Sequence, residues 1–370
     1  MEEEGGNYMK LKVAFIVRTT FDAIRGGDTL QALCTAHELR KLGVEVDIRK
    51  ASETIDYRQY DLLHLFNLIR PADHLAHISR AAIPYVLSTI YLDYSGFDTL
   101  GRGRLSKHLF RVTGKHHAEY LKTCIRVLKR QDKLVSPSYL FGHLRAVRKV
   151  LEGAKILLPN SRSEYMRLMA DFNIQKDYRI IPNGIDKQIF QMKPALERKE
   201  SQILCVGQIY GLKNQHSLIE ATRNMDVKLV IIGKPPPNHL NYFELCKKIA
   251  HRNVEFHDFM PQQQLVQFYA RSKVHALPSW FETTGLSSLE AGAMACNLVV
   301  GTGGDTRDYF LQHATFCDAQ DLSYIKKALE TELQKPNTTE FRDFILAHYT
   351  WEHAARETLS AYLKALEHEE

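Results

Sequence analysis

The sequence predicts an α/β protein built as two α/β/α domains, and three observations carry that expectation. Short apolar runs alternate with helical or polar stretches, the pattern of a parallel sheet covered by helices. The rhythm restarts beyond a break near Asn183 to Lys193. A length of 370 residues allows two full-sized cores, and 44% hydrophobic with 25% charged residues is ordinary globular composition.

The elements follow in order. The opening "MEEEGGNYMK" is acidic and Gly-containing, so residues 1–9 read as a flexible leader and not as a signal peptide. The run "LKVAFIVR" reads as the first strand, a Gly26-Gly27 loop follows it, and a helix is expected from about Thr29 to Leu42. Further strands are expected at Val44 to Ile48, Leu62 to Phe66, Tyr85 to Ser88 and Lys155 to Leu158. In the second half they are expected at Gln202 to Val206, Lys228 to Ile232, Val254 to Phe256, Val274 to Leu277 and Leu298 to Val300. The last periodic segment runs from Trp351 to Leu366.

The chemistry concentrates in "PSWFETTGLSSLEAGAMACNLVVGTGG". Pro278 and Ser279 end an apolar strand, and a helix is expected from about Leu286 to Ala295. The N–H groups of Thr283, Thr284 and Gly285 lack intrahelical partners if they open that helix, so a phosphate is stabilised there by orphan donors and the helix dipole. Glu282 before the helix and Glu290 within it suit sugar hydroxyls better than phosphates, because a carboxylate is an acceptor. Read blandly, Glu282 is a turn carboxylate and Glu290 a solvated helix position. Gly26 and Gly27, directly after the first strand, let backbone approach a phosphate or an acceptor. Lys213, in a loop after Val206 and Gly207, offers a mobile ammonium to a phosphate, and Asn214 is placed to orient that loop.

The segment from Pro278 resembles the donor-site signature of the retaining GT-B glycosyltransferases of family four, in which seven residues separate two glutamates. "VGQIYGLKNQHSLIEA" from Val206 resembles that family's phosphate-binding strand, loop and helix, and "IIPNGIDKQIF" from Ile180 its interdomain crossover. With "RGGDTLQALCTAHELRKLGVEV" near the start, the resemblance covers nearly the whole chain. It implies a GT-B fold: two Rossmann-like α/β/α domains facing across a cleft, with a C-terminal helix crossing back to the first. The expected division is an acceptor-binding domain at 10–185, a nucleotide-sugar-binding domain at 186–350, and a crossover helix and tail at 351–370. It further implies retaining transfer of a hexose-type sugar from a UDP- or GDP-sugar to a hydroxyl of a glycan or lipid-linked acceptor, in surface polysaccharide or glycoconjugate synthesis, with no cofactor or divalent ion required. Glu282 is then expected to orient the donor sugar, Glu290 to bind ribose, and Lys213 with the Thr283 to Gly285 backbone to stabilise the leaving diphosphate.

The sequence departs from the family pattern at three places. Gln208 stands where an arginine is usual and brings no positive charge. In "STIYLDY" Tyr91 stands where a histidine is usual, leaving Tyr91 and the nearby Asp93 as acceptor-side candidates. In "GTGGDTRDYF" Arg307 takes a usually acidic position, where it contacts phosphate or faces water. These changes leave open a non-catalytic sugar-nucleotide-binding relative, and the shared cleft leaves open an epimerase or a phosphorylase.

Other classes are poorly supported. No Gly-x-Gly-x-x-Gly follows the first strand, which argues against a dinucleotide-binding dehydrogenase. His64, His74 and His77, like His116 and His117, lack partners at zinc spacing and read as surface or loop histidines, so no metal site is expected. Cysteines 34, 124, 205, 246, 296 and 317 show no paired close spacing and read as buried thiols of a reducing, cytoplasmic compartment. No apolar run is long enough to span a membrane. Residues 102–133 carry ten Lys or Arg against two acidic residues, a face for an anionic acceptor or for peripheral contact with anionic lipid, equally readable as solvated helices. A net charge of +6 without a nucleic-acid motif disfavours DNA or RNA as partner.

Overall fold

Strands that are buried on both faces of a sheet read as near-continuous apolar runs, and the centre of each sheet contains mostly apolar strands, interrupted by His64 in one and His275 in the other. The computed structural model describes residues 11–22, 26–92, 142–191 and 201–367. Asp93, the basic segment 102–133 with His116, His117 and Cys124, and the leader 1–9 lie outside the described residues. Of the described residues, 11–91, 142–182 and 351–367 form one compact unit, and 183–191 with 201–350 form the other.

The first unit holds a five-stranded parallel sheet in the order β2-β1-β3-β4-β5. Its strands are β1 (Lys12–Val17), β2 (Glu45–Lys50), β3 (Leu62–Phe66), β4 (Tyr85–Ser88) and β5 (Leu157–Leu158). Between them run α1 (Gly27–Lys41), α2 (Pro71–Ile78), α3 (His143–Gly153) and α4 (Arg162–Phe172). The core of one face gathers Ala14, Ile16, Leu63, Leu65 and Leu87 of the sheet with Val147, Leu151 and Leu168 of the helices.

The second unit holds a six-stranded parallel sheet in the order β11-β10-β9-β6-β7-β8. Its elements are β6 (Gln202–Val206), α5 (Gln215–Thr222), β7 (Lys228–Ile232), α6 (Leu240–Ile249), β8 (Val254–His257), α7 (Gln262–Arg271) and β9 (Val274–Leu277). Then come α8 (Leu286–Ala293), β10 (Asn297–Gly301), α9 (Thr306–Phe310), β11 (Thr315–Cys317), α10 (Leu322–Gln334) and α11 (Glu340–His348). Helix α8 stops short of the expected end because Ala295 turns left-handed, at φ 56°. The short β11 escaped the sequence reading, since its three residues carry no periodicity. Cys205, Cys246, Cys296 and Cys317 are buried, as expected, whereas Cys34 is half-buried.

The chain then returns to the first unit as α12 (Trp351–Glu367), which packs on α1. Tyr362 of this helix meets His64 Nδ1 of β3 at 2.6 Å, and His64 Nε2 meets Ser88 Oγ of β4 at 2.8 Å. The expectation of surface or loop histidines is therefore corrected: His64, His74 and His77 are 1%, 1% and 2% exposed. Each is kept inside by a specific partner. His74 Nε2 reaches the Asn67 carbonyl at 3.1 Å, and His77 lies between the Tyr57 hydroxyl at 2.8 Å and the Ala51 carbonyl at 2.9 Å.

Burial depresses the pKa of His64 to about 3, of His74 to about 4 and of His275 in β9 to about 3. These rings are neutral in the folded chain, whereas in the unfolded chain they titrate near 6.5, so below that pH the unfolded state binds more protons. Their stabilising contribution is complete above about pH 6.5 and declines as pH falls toward 3 to 4. Thermal melts followed by circular dichroism are expected to hold steady from pH 8 to 7 and to drop by pH 5, where each ring costs up to about 2 kcal/mol.

Candidate functional site

The second sheet reverses its order at β6, with β7 and β8 on one side and β9 to β11 on the other. Ligands of open parallel sheets bind beyond the carboxyl ends of the strands at such a reversal. The loops leaving β6 and β9 are joined there by a backbone bond from the Trp280 N–H to the Leu212 carbonyl, 2.9 Å long. Asn214 tightens the junction. It sits left-handed at φ 58°, and its Nδ2 donates to the carbonyls of Pro278 at 3.2 Å and Ala319 at 2.9 Å.

Lys213 ends a short 3-10 turn at Gly211–Lys213, and its ammonium donates to Glu282 Oε1 at 2.5 Å. Burial works against the charge on Lys213, but Glu282 and Tyr210 beside it carry its pKa above the usual lysine value. Glu282 is only 9% exposed and its backbone is fixed from the β10 side. Its N–H donates to Gly303 O at 3.1 Å and its carbonyl accepts from the Asp305 N–H at 2.8 Å. Gly304 makes that contact possible. It lies at φ 89°, and a Cβ there would stand 2.1 Å from the Glu282 carbonyl oxygen.

Between Glu282 and α8 the chain passes Thr283 and the buried Thr284 to Gly285, the N-cap, left-handed at φ 76°. The amides of Thr283, Thr284 and Gly285 make no backbone hydrogen bond among the described residues, and Gly285 O accepts the N–H groups of Ser288 at 2.8 Å and Leu289 at 3.1 Å. Thr284 Oγ1 accepts from Asn183 Nδ2 at 2.9 Å, while the Asn183 N–H donates to the Tyr309 hydroxyl at 3.1 Å. Two buried oxygens here, Asn183 Oδ1 and Ser279 Oγ, have no hydrogen-bond partner among the described residues. Buried polar atoms seldom stay unsatisfied, so these are candidate contacts for a bound molecule.

Glu290 is buried, which corrects the bland reading of a solvated helix position. Its Oε1 accepts from Gln262 Nε2 at 2.6 Å and its Oε2 from the Tyr269 hydroxyl at 2.7 Å. Burial pushes its pKa above the usual carboxylate range, and those two hydrogen bonds oppose the push. Gln208 is exposed at the exit of β6, and its carbonyl accepts from Gln215 Nε2 at 2.9 Å. Arg307 is exposed too, with its guanidinium 4.4 Å from the Phe316 ring centroid.

In the first unit Gly26 is the N-cap of α1 and Gly27 its first residue. Beside them Arg18, 8% exposed, makes a two-pronged pair with Asp28 at 2.7 and 3.2 Å and donates to Thr29 Oγ1 at 3.0 Å. Tyr91 is buried, its hydroxyl donating to Asp171 Oδ2 at 2.7 Å and its N–H to Glu164 Oε1 at 2.8 Å. The acceptor-side candidate is thus tied into its own domain. Sequence reasoning missed Arg18, Asn183, Gln262 and Tyr269. Only Asn183 had a signal, its place in the quoted "PNGID".

Residues 186–342 match the family described as Glycosyl transferases group 1. The chain is 24% identical over 328 residues to a D-inositol 3-phosphate glycosyltransferase of Corynebacterium glutamicum, covering 75% of this chain and 76% of that protein. The fold is similar to that of the sucrose-phosphate synthase of Thermosynechococcus elongatus, at 15% identity and a TM-score of 0.75 over 97% of this chain and 100% of the other. It is also similar to the Anabaena protein HepE in complex with UDP-glucose, at 14% identity and a TM-score of 0.66 over 95% and 100%. The fold is GT-B.

Removing one member of a mostly buried ion pair strands the other. Lys213→Met is expected to destabilise the second unit by about 3–5 kcal/mol, and the double change Lys213→Met with Glu282→Leu to recover most of that loss, in chemical denaturation followed by tryptophan fluorescence.

Proposed function

We propose that this chain, whose residues 186–342 match the group 1 glycosyl transferases, is a retaining hexosyltransferase using a UDP- or GDP-sugar. The observation that carries this reading is the Lys213–Glu282 pair at the switch point of the second sheet, followed by an N-cap glycine and by Glu290 within the helix it opens. The HepE structure is named for its UDP-glucose, which supports a nucleoside diphosphate hexose here. The acceptor is a hydroxyl of a glycan or lipid-linked sugar in polysaccharide or glycoconjugate assembly. The Corynebacterium relative's name adds a phosphorylated cyclitol to the acceptors worth testing.

The chemistry of retention needs no protein base. The acceptor oxygen attacks the anomeric carbon from the face the diphosphate leaves, the bond to the phosphate oxygen breaks, and that oxygen takes the acceptor's proton. Stabilising the developing negative charge is then the main task of the protein. An ammonium has three donor hydrogens. Lys213 spends one on Glu282 and has others for a phosphate, and the Thr283 to Gly285 amides offer further donors from the loop that carries Glu282. Glu282 orients the donor sugar through its hydroxyls, and Glu290 holds the ribose. The Gly26–Gly27 loop, Tyr91 and Asp93 are proposed for the acceptor side, and Gln208 for a neutral contact to the diphosphate. The reaction requires no metal. The proposed location is the cytoplasm, with segment 102–133 touching anionic membrane. Among the described residues no helix is long and apolar enough to cross a membrane.

The test is a panel of UDP-, GDP-, ADP- and dTDP-sugars against simple glycosides, lipid-linked sugars and inositol phosphates, read as nucleoside diphosphate release and the anomeric configuration of the product. Release without a new glycoside, or an inverted product, overturns the reading. Glu282→Ala is expected to lower kcat by about a hundredfold or more with little loss of nucleotide affinity, whereas Glu290→Ala is expected to weaken nucleotide binding more than turnover.

A further inference from the structure

We propose that Gln262 and Tyr269 are positioning residues that fix the Glu290 carboxylate so that it selects a nucleotide with a ribose diol over a 2′-deoxyribonucleotide. The inference rests on the reading of Glu290 as the ribose carboxylate. It goes beyond that reading in explaining what makes this carboxylate selective.

The argument begins with acceptor capacity. An ionised carboxylate offers about four acceptor positions, two on each oxygen. Gln262 takes one on Oε1 and Tyr269 takes one on Oε2. One position therefore remains on each oxygen, and two vicinal hydroxyls require one acceptor each. Both partners stand on α7, seven residues and two turns apart on one face, so a single rigid helix sets the carboxylate plane. Burial holds the Tyr269 hydroxyl well above its usual pKa, as does the Glu290 charge, so it remains a donor.

The same two bonds keep the carboxylate an acceptor. Burial favours the neutral acid at Glu290, and Gln262 and Tyr269 oppose that. No basic side chain stands among its recorded hydrogen-bond partners. The other titrating groups nearby are Cys296, whose Sγ donates to the Tyr269 carbonyl at 3.1 Å, the buried Cys205, and the neutral His275, its ring 6.0 Å from that of Tyr269. Arg342 of α11 lies at the far end of α8, where its guanidinium donates to the carbonyls of Ala293 and Phe190. A protonated Glu290 gives up acceptor capacity and rejects the diol.

The measurement is calorimetric titration of the full chain with UDP, 2′-deoxy-UDP, GDP and 2′-deoxy-GDP, alongside steady-state donor kinetics. One hydroxyl donating to a charged acceptor predicts a preference of about ten- to a hundredfold for the ribonucleotide of whichever base binds. Tyr269→Phe and Gln262→Leu are each expected to cut that preference to a few-fold and to raise the donor KM while leaving kcat at saturating donor nearly unchanged. Tyr269→Phe also moves the acid limb of nucleotide affinity to higher pH, which a merely structural role would not do. Gln262 is half-buried, so its variant keeps the test alive should the Tyr269 variant not fold. Preference retained in both variants but lost in Glu290→Gln overturns the positioning role and leaves the ribose reading standing. Preference retained in Glu290→Gln overturns the ribose reading and this inference with it.

Discussion

The ion pair between Lys213 and Glu282 is the contact on which the rest of the candidate site depends. It joins the exit of β6 to the exit of β9, and the Glu282 backbone extends the tie to Gly303 and Asp305 beyond β10. Taking two charges from water is costly, and only close geometry with further polar contacts repays it. The fold supplies that geometry through neutral interactions: the Trp280–Leu212 backbone bond, the left-handed Asn214 with its two carbonyl partners, and a glycine at 304 where a side chain would collide. The pair is thus an outcome of loop packing as much as its cause. On the proposed reading, a diphosphate at Lys213 adds to this arrangement and need not dismantle it, because the ammonium has donors in excess of the one that Glu282 uses.

The central strands were legible because their burial on both faces leaves mostly apolar runs: Leu62–Phe66, Gln202–Val206, Lys228–Ile232 and Val274–Leu277 end where the sequence reading ended them. Strand order was not legible, since it is fixed by helical crossovers and by pairing between segments far apart in sequence. The same separation hid the buried histidines. His64 finds Tyr362 nearly three hundred residues on, and nothing near either position announces the meeting. Glu290 was assigned correctly to a helix, but its neighbours in "LSSLEAGA" are mostly small and do not mark a wet and a dry face. Its partners come from α7, whose amphipathic pattern gives Gln262 and Tyr269 no special place.

In the first unit the departure at Tyr91 has a structural explanation. Ile90 stands just before it at φ 43°, a conformation that costs a β-branched residue dearly. The fully buried Glu164 holds the segment there. It accepts from the Thr89 hydroxyl, from the Tyr91 N–H at 2.8 Å and from the Asn160 N–H at 2.9 Å. With the Tyr91 hydroxyl given to Asp171 and its carbonyl to Arg167 at 2.9 Å, the exit of β4 is locked on every side. Arg18, beside the Gly26 N-cap, is committed in the same way, to Asp28 and Thr29.

The two glutamates that first marked the site satisfy burial in opposite ways, and that difference separates their work. Glu282 is balanced by a cation, an interaction less dependent on angle than a neutral hydrogen bond, so its carboxylate can turn toward a sugar hydroxyl while staying close to Lys213. Glu290 is balanced by two neutral donors, whose hydrogen bonds weaken steeply when misaligned. It is the less adjustable of the pair. A transferred sugar changes shape as its anomeric bond breaks, while the ribose of the leaving nucleotide keeps its shape from bound donor to product. A compliant carboxylate near the reacting sugar and a fixed one on the ribose is the allocation that this asymmetry supports. Exchanging the two environments would put rigidity where the reaction needs accommodation.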